Sequence, residues 1–416
     1  MSAGTPVAEG LWRDLAPQAL ARLLRAHGRA GFDLCEDAVQ EALLQAHRQW
    51  PGRFPDDPLA WLVAVARRRY ADHARGDARR RSREARAALL APEPPQAGQD
   101  DDSLLVLLMC CHPGLPRSGQ VALTLRAVAG LSTARIANVY QLPEPTIAQR
   151  ITRAKRKVAE LGLPPPGPAD ERVTPVLDVL YVMFTEAHHT TTGAPPRDAD
   201  LAAEAIRLAR LLLRAVPSSA EVAGLLALML LTEARHPARV GPDGALVPLD
   251  EQDRALWDRS LIREGAALVD RAVRGARPGP YLLQACVAAL HAEAASAEAT
   301  DWGEVLALYR VLEAVTGRGN PTITLNRVVA QAVVDGSAVA LGELDALAAE
   351  HPRLPRLDAV RAHVLEQAGR AGEAADAYRR AIAVTTNLAE QRHLRRRLLG
   401  VATAGVPAGV TGATTS

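Results

Sequence analysis

Residues 143 to 161 read P-E-P-T-I-A-Q-R-I-T-R-A-K-R-K-V-A-E-L, and their spacing decides what this chain is built from. Ile147, Ile151, Ala154, Val158 and Leu161 follow one another at intervals of four, three, four and three, which puts them on one narrow face of a helix. Thr146, Gln149, Arg150, Arg153, Arg156 and Lys157 fall on the opposite face. Pro145 suits the first helical turn, where a missing N–H costs nothing. The pattern predicts a helix that starts near Glu144, buries one side and offers the other as a basic, hydrogen-bonding surface.

Just upstream, Gly130-Leu131-Ser132 reads as a turn and an N-cap, followed by a short helix through about Tyr140 with Ile136 and Ala137 facing inward. Gln141-Leu142-Pro143 then breaks the chain. A short helix, a tight turn and a second helix with polar and arginine side chains near its start form a helix-turn-helix pattern. The second helix fits a DNA major groove, where Gln149 can read adenine and Arg150 or Arg153 can read guanine with paired hydrogen bonds. For this stretch alone, the plainer alternative is an amphipathic helix with a solvated charged face.

Residues 11–30 read as a helix of mixed polarity. In Asp33 to Trp50, Val39, Ala42, Leu43, Ala46 and Trp50 share one face, and Asp37, Glu41, Leu44 and Arg48 the other, with Gln40 at its edge. A leucine inside a polar stripe suits a partner surface, although single exposed leucines are common. Trp50 to Asp57 is a loop, after which Asp57-Pro58 reads as an N-cap and first helical residue. The following helix runs into a tract with nine arginines between Arg67 and Arg86, against Asp72, Asp77 and Glu84, with Phe54, Trp61 and Tyr70 nearby. Arginines interleaved with aromatics suit nucleic acid, since phosphates take charge and unpaired bases stack on rings. An arginine run alone would read as a solvated face.

Residues 91–103 form a Pro-rich acidic linker, and Leu104 to Gly130 a packed helical segment. Residues 1–160 carry 23 Lys and Arg against 17 Asp and Glu, a net of +6; residues 161–416 carry 26 against 30, a net of −4. That asymmetry assigns nucleic-acid contact to the first part. Cys110-Cys111-His112 is adjacent rather than ligand-spaced, so with Cys35 and Cys286 the cysteines read as buried small hydrophobes of a reducing cytosol rather than a zinc site. The start of the chain lacks a signal-peptide pattern, and no apolar run is long enough for a bilayer. The expectation is a cytoplasmic protein with no membrane, metal or cofactor.

Beyond a Pro-rich boundary at 164–168, the chain reads helical from Glu171 to about Gly400. The helical segments are Leu201–Val216, Ser219–Ala234, Asp253–Arg274, Tyr281–Ala294, Trp302–Val315 and Leu325–Val334. Ala330, Gly336, Leu341, Leu344 and Leu347 recur 32 to 34 residues later as Ala362, Gly369, Ala374, Tyr378 and Ala381. Small residues at a period near 34 indicate a helical-hairpin repeat of the tetratricopeptide type, with Thr386 where that repeat usually has proline.

Two blocks, D-L-C-E-D-A-V-Q-E-A-L-L-Q-A-H-R-Q-W (33–50) with P-L-A-W-L-V-A-V-A-R-R-R-Y (58–70), and G-L-S-T-A-R-I-A-N-V-Y-Q-L-P-E-P-T-I-A-Q-R-I-T-R-A-K-R-K-V (130–158), resemble regions 2 and 4 of a sigma-70 family RNA polymerase sigma factor of the extracytoplasmic-function group. L-D-V-L-Y-V-M-F-T-E-A-H (177–188), L-L-A-L-M-L-L-T-E-A-R-H-P-A-R (225–239), D-E-Q-D-R-A-L-W-D-R-S-L-I-R-E-G (250–265) and G-P-Y-L-L-Q-A-C-V-A-A-L-H-A-E-A (279–294) resemble the tetratricopeptide-containing extension of one subgroup. The chain departs from that subgroup at Phe184 to His188, where an F-N-E-G-Y-like string is more usual.

The resemblance implies an all-α protein: region 2 in 1–90, a linker in 91–103, a region 4 helix-turn-helix in 104–163, a helical extension in 170–400 and a disordered tail in 401–416. It implies that Asp37, Gln40, Glu41 and Leu44 grip the β′ clamp helices of core RNA polymerase, whose β flap takes region 4. The loop Gly52–Asp57, with Arg53 and Phe54, would capture a flipped −10 base. Trp61, Arg67, Arg68 and Arg75 would follow the melted strand, and Thr146, Gln149, Arg150 and Arg153 would read the −35 element of duplex promoter DNA. The acidic linker would thread the RNA-exit path, and a DGPF (YCII-related) protein, whose genes neighbour those of the subgroup, or another protein would be a partner for the extension. Two other readings stand beside this one. One is a helix-turn-helix regulator with a helical-repeat sensor that never joins the polymerase, which would have no need of the Asp37/Gln40/Glu41 block. The other is an enzyme using Glu186, His188 and His189, whose E-x-H-H spacing does not match H-E-x-x-H.

Overall fold

A computed structural model describes residues 6–27, 31–78, 103–140, 142–161, 170–188, 199–275, 277–317 and 320–404. The acidic linker up to residue 102, the arginines from Arg79 to Arg86, the proline-rich 164–168, His189 and residues 405–416 lie outside them. The fold is all-α, and among the described residues the only β feature is an isolated antiparallel bridge between Val240 and Leu246.

The helices divide between two compact units. The first holds α1 (Pro6–His27), α2 (Phe32–Gln49), α3 (Pro58–Ala78), α4 (Ser103–Cys110), α5 (Arg117–Ala127), α6 (Thr133–Tyr140), α7 (Glu144–Leu161), α8 (Asp170–His188) and α9 (Ala199–Ala215). Its hub is α4, S-L-L-V-L-L-M-C, which touches α1, α5, α8 and α9. A helix apolar on every side must be surrounded, and Val106, Leu107, Leu108, Met109 and Cys110 are all buried. The segment read as one helical stretch, Leu104–Gly130, is two helices. The chain turns at Cys111–Pro116, where Gln120 donates from Nε2 to the His112 carbonyl at 2.9 Å. Burial pushes the thiols of Cys35 and Cys111 up to about 12, so neither is reactive at neutral pH.

The second unit holds α10 (Ala220–Ala234), α11 (Arg259–Val273), α12 (Pro280–Glu293), α13 (Trp302–Thr316), α14 (Pro321–Val334), α15 (Ser337–Glu350), α16 (Leu357–Gln367), α17 (Ala371–Val384) and α18 (Leu388–Ala404). Its helices pack mainly on sequence neighbours, as in a stacked array of hairpins. The positions that recur in the sequence share burial and backbone conformation. Ala330 and Ala362, Leu344 and Tyr378, and Leu347 and Ala381 are all buried, and Gly336 and Gly369 take left-handed φ values of 91° and 70° between their helices. At Gly224 a Cβ would lie 2.6 Å from the Leu282 backbone, so this glycine sets how closely α10 and α12 approach. Glu221 reinforces that crossing by accepting from Tyr281 N and Leu282 N at 3.0 and 3.1 Å.

Two boundaries differ from the periodic reading. Arg254–Leu256 form a 3-10 turn capped by Asp253, and α11 starts only after Asp258, whose carboxylate accepts from Ser260 N and Leu261 N at 2.8 and 3.2 Å. Residues 401–404, expected in the tail, finish α18 with Val401 buried.

Candidate nucleic-acid interface

Helix α7 is held by its apolar face: Ile147, Ile151, Ala154 and Val158 are buried, and α7 packs on α5 and α6. The turn before it is fixed by local bonds. Ser132 Oγ accepts from Arg135 N at 3.2 Å, capping α6, and Leu142 N donates to the Ala137 carbonyl at 3.0 Å. Thr146, Gln149 and Arg153 are exposed. Arg150 is half-buried, its guanidinium 5.8 Å from the centre of the Tyr140 ring. All four line one open cleft of about 270 Å³ with Leu115, Pro116, Ser118, Gly119, Ala154 and Lys157. No lining residue is acidic, so the cleft presents donors and positive charge to whatever enters it. Burial, with Glu186 of α8 nearby, pushes the Tyr140 hydroxyl up to about 12.

On α2, Asp37 is exposed, Leu44 is 59% exposed, and Gln40 and Glu41 are half-buried. Glu41 is already engaged within the chain: His73 Nε2 meets its Oε1 at 2.9 Å and Arg69 Nε its Oε2 at 3.5 Å. Asp37 has no such partner among the described residues. Partial burial raises its pKa, and the Glu36 and Asp33 carboxylates add to that against Lys155 and His73. A cation from outside would relieve it.

Phe54 is 58% exposed at the end of an aromatic cluster. Its ring meets Trp50 edge-on at 5.1 Å, Trp50 meets Trp61 edge-on at 5.6 Å, and Trp50 stacks on Trp12 at 4.6 Å. The chain has only 14 aromatic residues, so four in one place make a platform rather than a scatter. Trp12 was missed by sequence reasoning; its signal was tryptophan rarity rather than any motif. Arg53 and Arg68 are exposed and Arg67 is half-buried. Arg75 pairs with Asp72 at 2.6 Å, an exposed contact weak enough for a phosphate to displace.

The structure also shows a connection that no motif announced. Glu36, 4% exposed, lies on α2 one residue before Asp37. It takes Arg126 Nε of α5 at 3.2 Å and Lys155 Nζ of α7 at 2.5 Å, the latter a close ion pair not aligned as a hydrogen bond. Lys155 also reaches Asp33 at 3.2 Å. The helix carrying the acidic stripe and the helix carrying the basic face are thus tied by a shielded charge cluster.

His188, read as one member of the E-x-H-H trio, donates from Nδ1 to the Phe184 carbonyl at 2.8 Å and packs on the Phe184 ring. Among the described residues no group of His, Cys, Asp and Glu is arranged to hold a metal ion, and no helix is long and apolar enough to cross a membrane.

Residues 105–158 match the family described as sigma-70, region 4, and residues 172–273 match a family of unknown function (DUF6596). The uncharacterized protein R00370 of Rhizobium meliloti (strain 1021) is 41% identical over 410 residues, covering 93% of this chain and 95% of its own length. No solved structure matches the chain. The region 4 match spans α4 to α7, and so contains the cleft.

Proposed function

The chain belongs to the same family as the rhizobial protein and carries a sigma-70 region 4 domain, and on that premise we propose that it is a cytoplasmic sigma factor of the extracytoplasmic-function group, with a tetratricopeptide-like extension. It binds core RNA polymerase and directs it to promoters, performing no bond chemistry itself. The observation that carries this reading is the α7 face, where Thr146, Gln149 and Arg153 stand exposed in a cleft free of acidic residues. One bidentate arginine–guanine contact there contributes about 1–3 kcal/mol of discrimination. Asp37 and Leu44, with Gln40 and Glu41, are the polymerase contact. Phe54 and its tryptophans, with Arg53, Arg67, Arg68 and Arg75, take the unstacked −10 base and single strand, offsetting part of the few kcal/mol needed to open the duplex. The extension regulates this activity through a protein partner.

The test is run-off transcription with purified core RNA polymerase and upstream DNA of the neighbouring genes. A discrete start site lost in Asp37→Ala/Leu44→Ala supports the reading; both side chains lack internal ion pairs, so the loss reports the contact itself. Arg153→Ala should weaken binding at one −35 base, and Arg75→Ala more evenly across sequences. Sequence-specific DNA binding without any start site would instead favour a helix-turn-helix regulator that does not join the polymerase.

A further inference from the structure

The last helix of the array, α18, holds a short hairpin from far upstream in the chain. Residues 239–247 form that hairpin by themselves. Val247 N donates to the Arg239 carbonyl and Gly241 N to the Ala245 carbonyl, both at 2.9 Å, and Asp243 Oδ1 accepts from Ala245 N at 3.0 Å. Helix α18 then grips the hairpin chiefly by its main chain. Leu246 N donates to the Ala389 carbonyl at 3.0 Å, Arg392 Nη1 to the Gly244 carbonyl at 3.3 Å and Arg396 Nη2 to the Leu246 carbonyl at 3.4 Å. Arg392 and Arg396 are one helical turn apart, about 6 Å along the axis, and residues two apart in an extended chain are separated by about 6.6 Å. Because the two spacings match, this face can read alternate carbonyls of an extended chain whatever its side chains. Two ion pairs add a charge requirement. Arg396 meets Asp243 at 3.5 Å, and Arg397 meets Glu251 at 2.9 Å while also holding Glu366 of α16 at 2.9 Å. At Gly244, φ 72°, a Cβ would run into the Arg392 guanidinium, so the close approach needs glycine there.

Helix α18 does not depend on the hairpin for its place. Leu394 and Val401 are buried on its other face, in the core shared with α14 to α17. The pair between Asp243 and Arg396 stands half open to water, with side chains 57% and 48% exposed, and such contacts are weak. The fit also leaves polar atoms unmet: His393 Nδ1, on the gripping face between Ala389 and Arg396, and Gln252 Oε1, next to Glu251, are buried without a hydrogen bond. Moreover, the face runs beyond the hairpin. Leu388, Arg392, Arg395 and Leu399 share a stripe at helical spacing, with Leu388 43% and Leu399 68% exposed and both arginines exposed. The outer face of a terminal repeat is normally polar. Two exposed leucines flanking arginines therefore mark a surface for something larger than the hairpin and opposite in charge.

We propose that this face of α18 binds an extended acidic segment of a partner protein, and that the hairpin 239–251 is the internal occupant which that segment displaces. The site lies within the second unit, and its test does not depend on whether the first unit joins RNA polymerase. The probe is a fluorescent synthetic peptide of residues 239–252, read by anisotropy against the wild type and against the full chain with 240–251 replaced by a Gly-Ser linker of equal length. The linker chain should bind the peptide saturably, and the wild type about tenfold or more weakly, because its own hairpin competes at high effective concentration. Arg392→Gln/Arg396→Gln in the linker chain should weaken binding about tenfold. A peptide carrying Asp243→Asn, Asp250→Asn and Glu251→Gln should lose a similar factor, whereas alanine at Leu246, Val247 and Leu249 should change the affinity by less than about threefold, since the main chain is what the arginines read. Should the linker chain fail to fold, Gly244→Ala in the full chain loosens the hairpin without removing it and should raise the wild-type affinity for the peptide several-fold; no gain would overturn the proposal. It is equally overturned if a folded linker chain binds no peptide, if wild type and linker chain bind alike, or if the arginine pair makes no difference. A wild-type dimer in size-exclusion chromatography that the linker abolishes would make the occupant a second copy of this chain, and the partner proposal would fall.

Discussion

Glu36 ties three helices of the first unit through one buried carboxylate. It is shielded from water, and its two cationic partners, Arg126 and Lys155, come from different helices. Removing one member of a buried ion pair leaves the others uncompensated, which costs about 3–5 kcal/mol. Glu36→Gln is therefore expected to lower the unfolding free energy of the first unit by about 3 kcal/mol. Adding Lys155→Met should recover part of that loss in a double-mutant cycle by urea denaturation; strict additivity would mean the pair is not coupled. Burial alone would lower the Lys155 pKa, but Glu36 and Asp33 outweigh it and hold the pKa above 10.5. A raised lysine pKa gives stability that is complete below the ordinary value and lost as pH climbs through the raised one. The advantage of the wild type over Glu36→Gln that comes from the charged lysine should thus shrink as pH climbs through the raised lysine pKa. His291 behaves oppositely. It is 9% exposed, and burial, then Arg235 and Arg254, lower its pKa from 6.5 to about 4. A base whose folded pKa is depressed contributes stability above its unfolded pKa and loses it as pH falls. The second unit should weaken between pH 6.5 and 4 by a share of about 3 kcal/mol from this group. His291→Gln should flatten that slope in urea titrations across the same range, and an unchanged slope would assign the acid sensitivity elsewhere.

At the scale of elements, the repeat in the second unit predicts where the backbone is intolerant. Gly369 has φ 70°, and a Cβ added there meets nothing within 4 Å, so Gly369→Ala carries a backbone cost alone. About 1 kcal/mol is expected, with Gly336→Ala costing a similar amount at the equivalent turn; a neutral result at both would show that the hairpin turns relax freely. The elements that a sequence displays are those whose own period specifies them. Helix α7 was legible because its buried and exposed residues alternate at helical spacing and because Ser132 and Pro143 bracket the turn. The same holds for α2, whose Asp37 and Leu44 do face outward. Helix α4 was not separable from α5, because an apolar run buried on all sides has no face to give it a phase. The stretch 239–258 resisted for the opposite reason: its short 3-10 turns and caps are set by contacts rather than by periodicity. Site residues divide in the same way. The basic face of α7 follows from local pattern, whereas Glu36 paired with Lys155 and Trp12 stacked on Trp50 join residues 119 and 38 positions apart, which one sequence cannot register.

Over the whole molecule, composition and packing divide the chain at different points. The proline-rich stretch at 164–168 suggests that a region 4 domain ends there, yet α8 and α9 group with the first unit, and the division falls after Val216. The segment matching a family of unknown function, 172–273, therefore straddles the two units. Its first half is structural for the unit that carries the cleft. Helix α8 buries Val176, Leu177, Val179, Leu180, Met183 and Phe184, and it packs on α4 and α5. Asp178 of α8 meets Arg117 at 3.6 Å, and Arg207 of α9 meets Asp14 at 3.5 Å. A chain ended after Leu163 would uncover one side of α4, whose residues are apolar all round. At roughly 1.5–3 kcal/mol for each large apolar side chain returned to water, that exposure exceeds the margin of a typical domain. The 1–163 fragment should therefore lose its cooperative transition or aggregate, whereas 1–216 should melt as a single cooperative unit. Circular dichroism melts and size-exclusion chromatography of the two fragments make the comparison. The outcome governs any study of what the extension does: only 1–216 removes the helical array while leaving the DNA-facing unit intact, and a gain or loss of transcription in 1–216 then reports on α10–α18 alone. If 1–163 instead proves as stable as 1–216, α8 and α9 merely rest on the first unit, and the functional boundary returns to the proline-rich stretch.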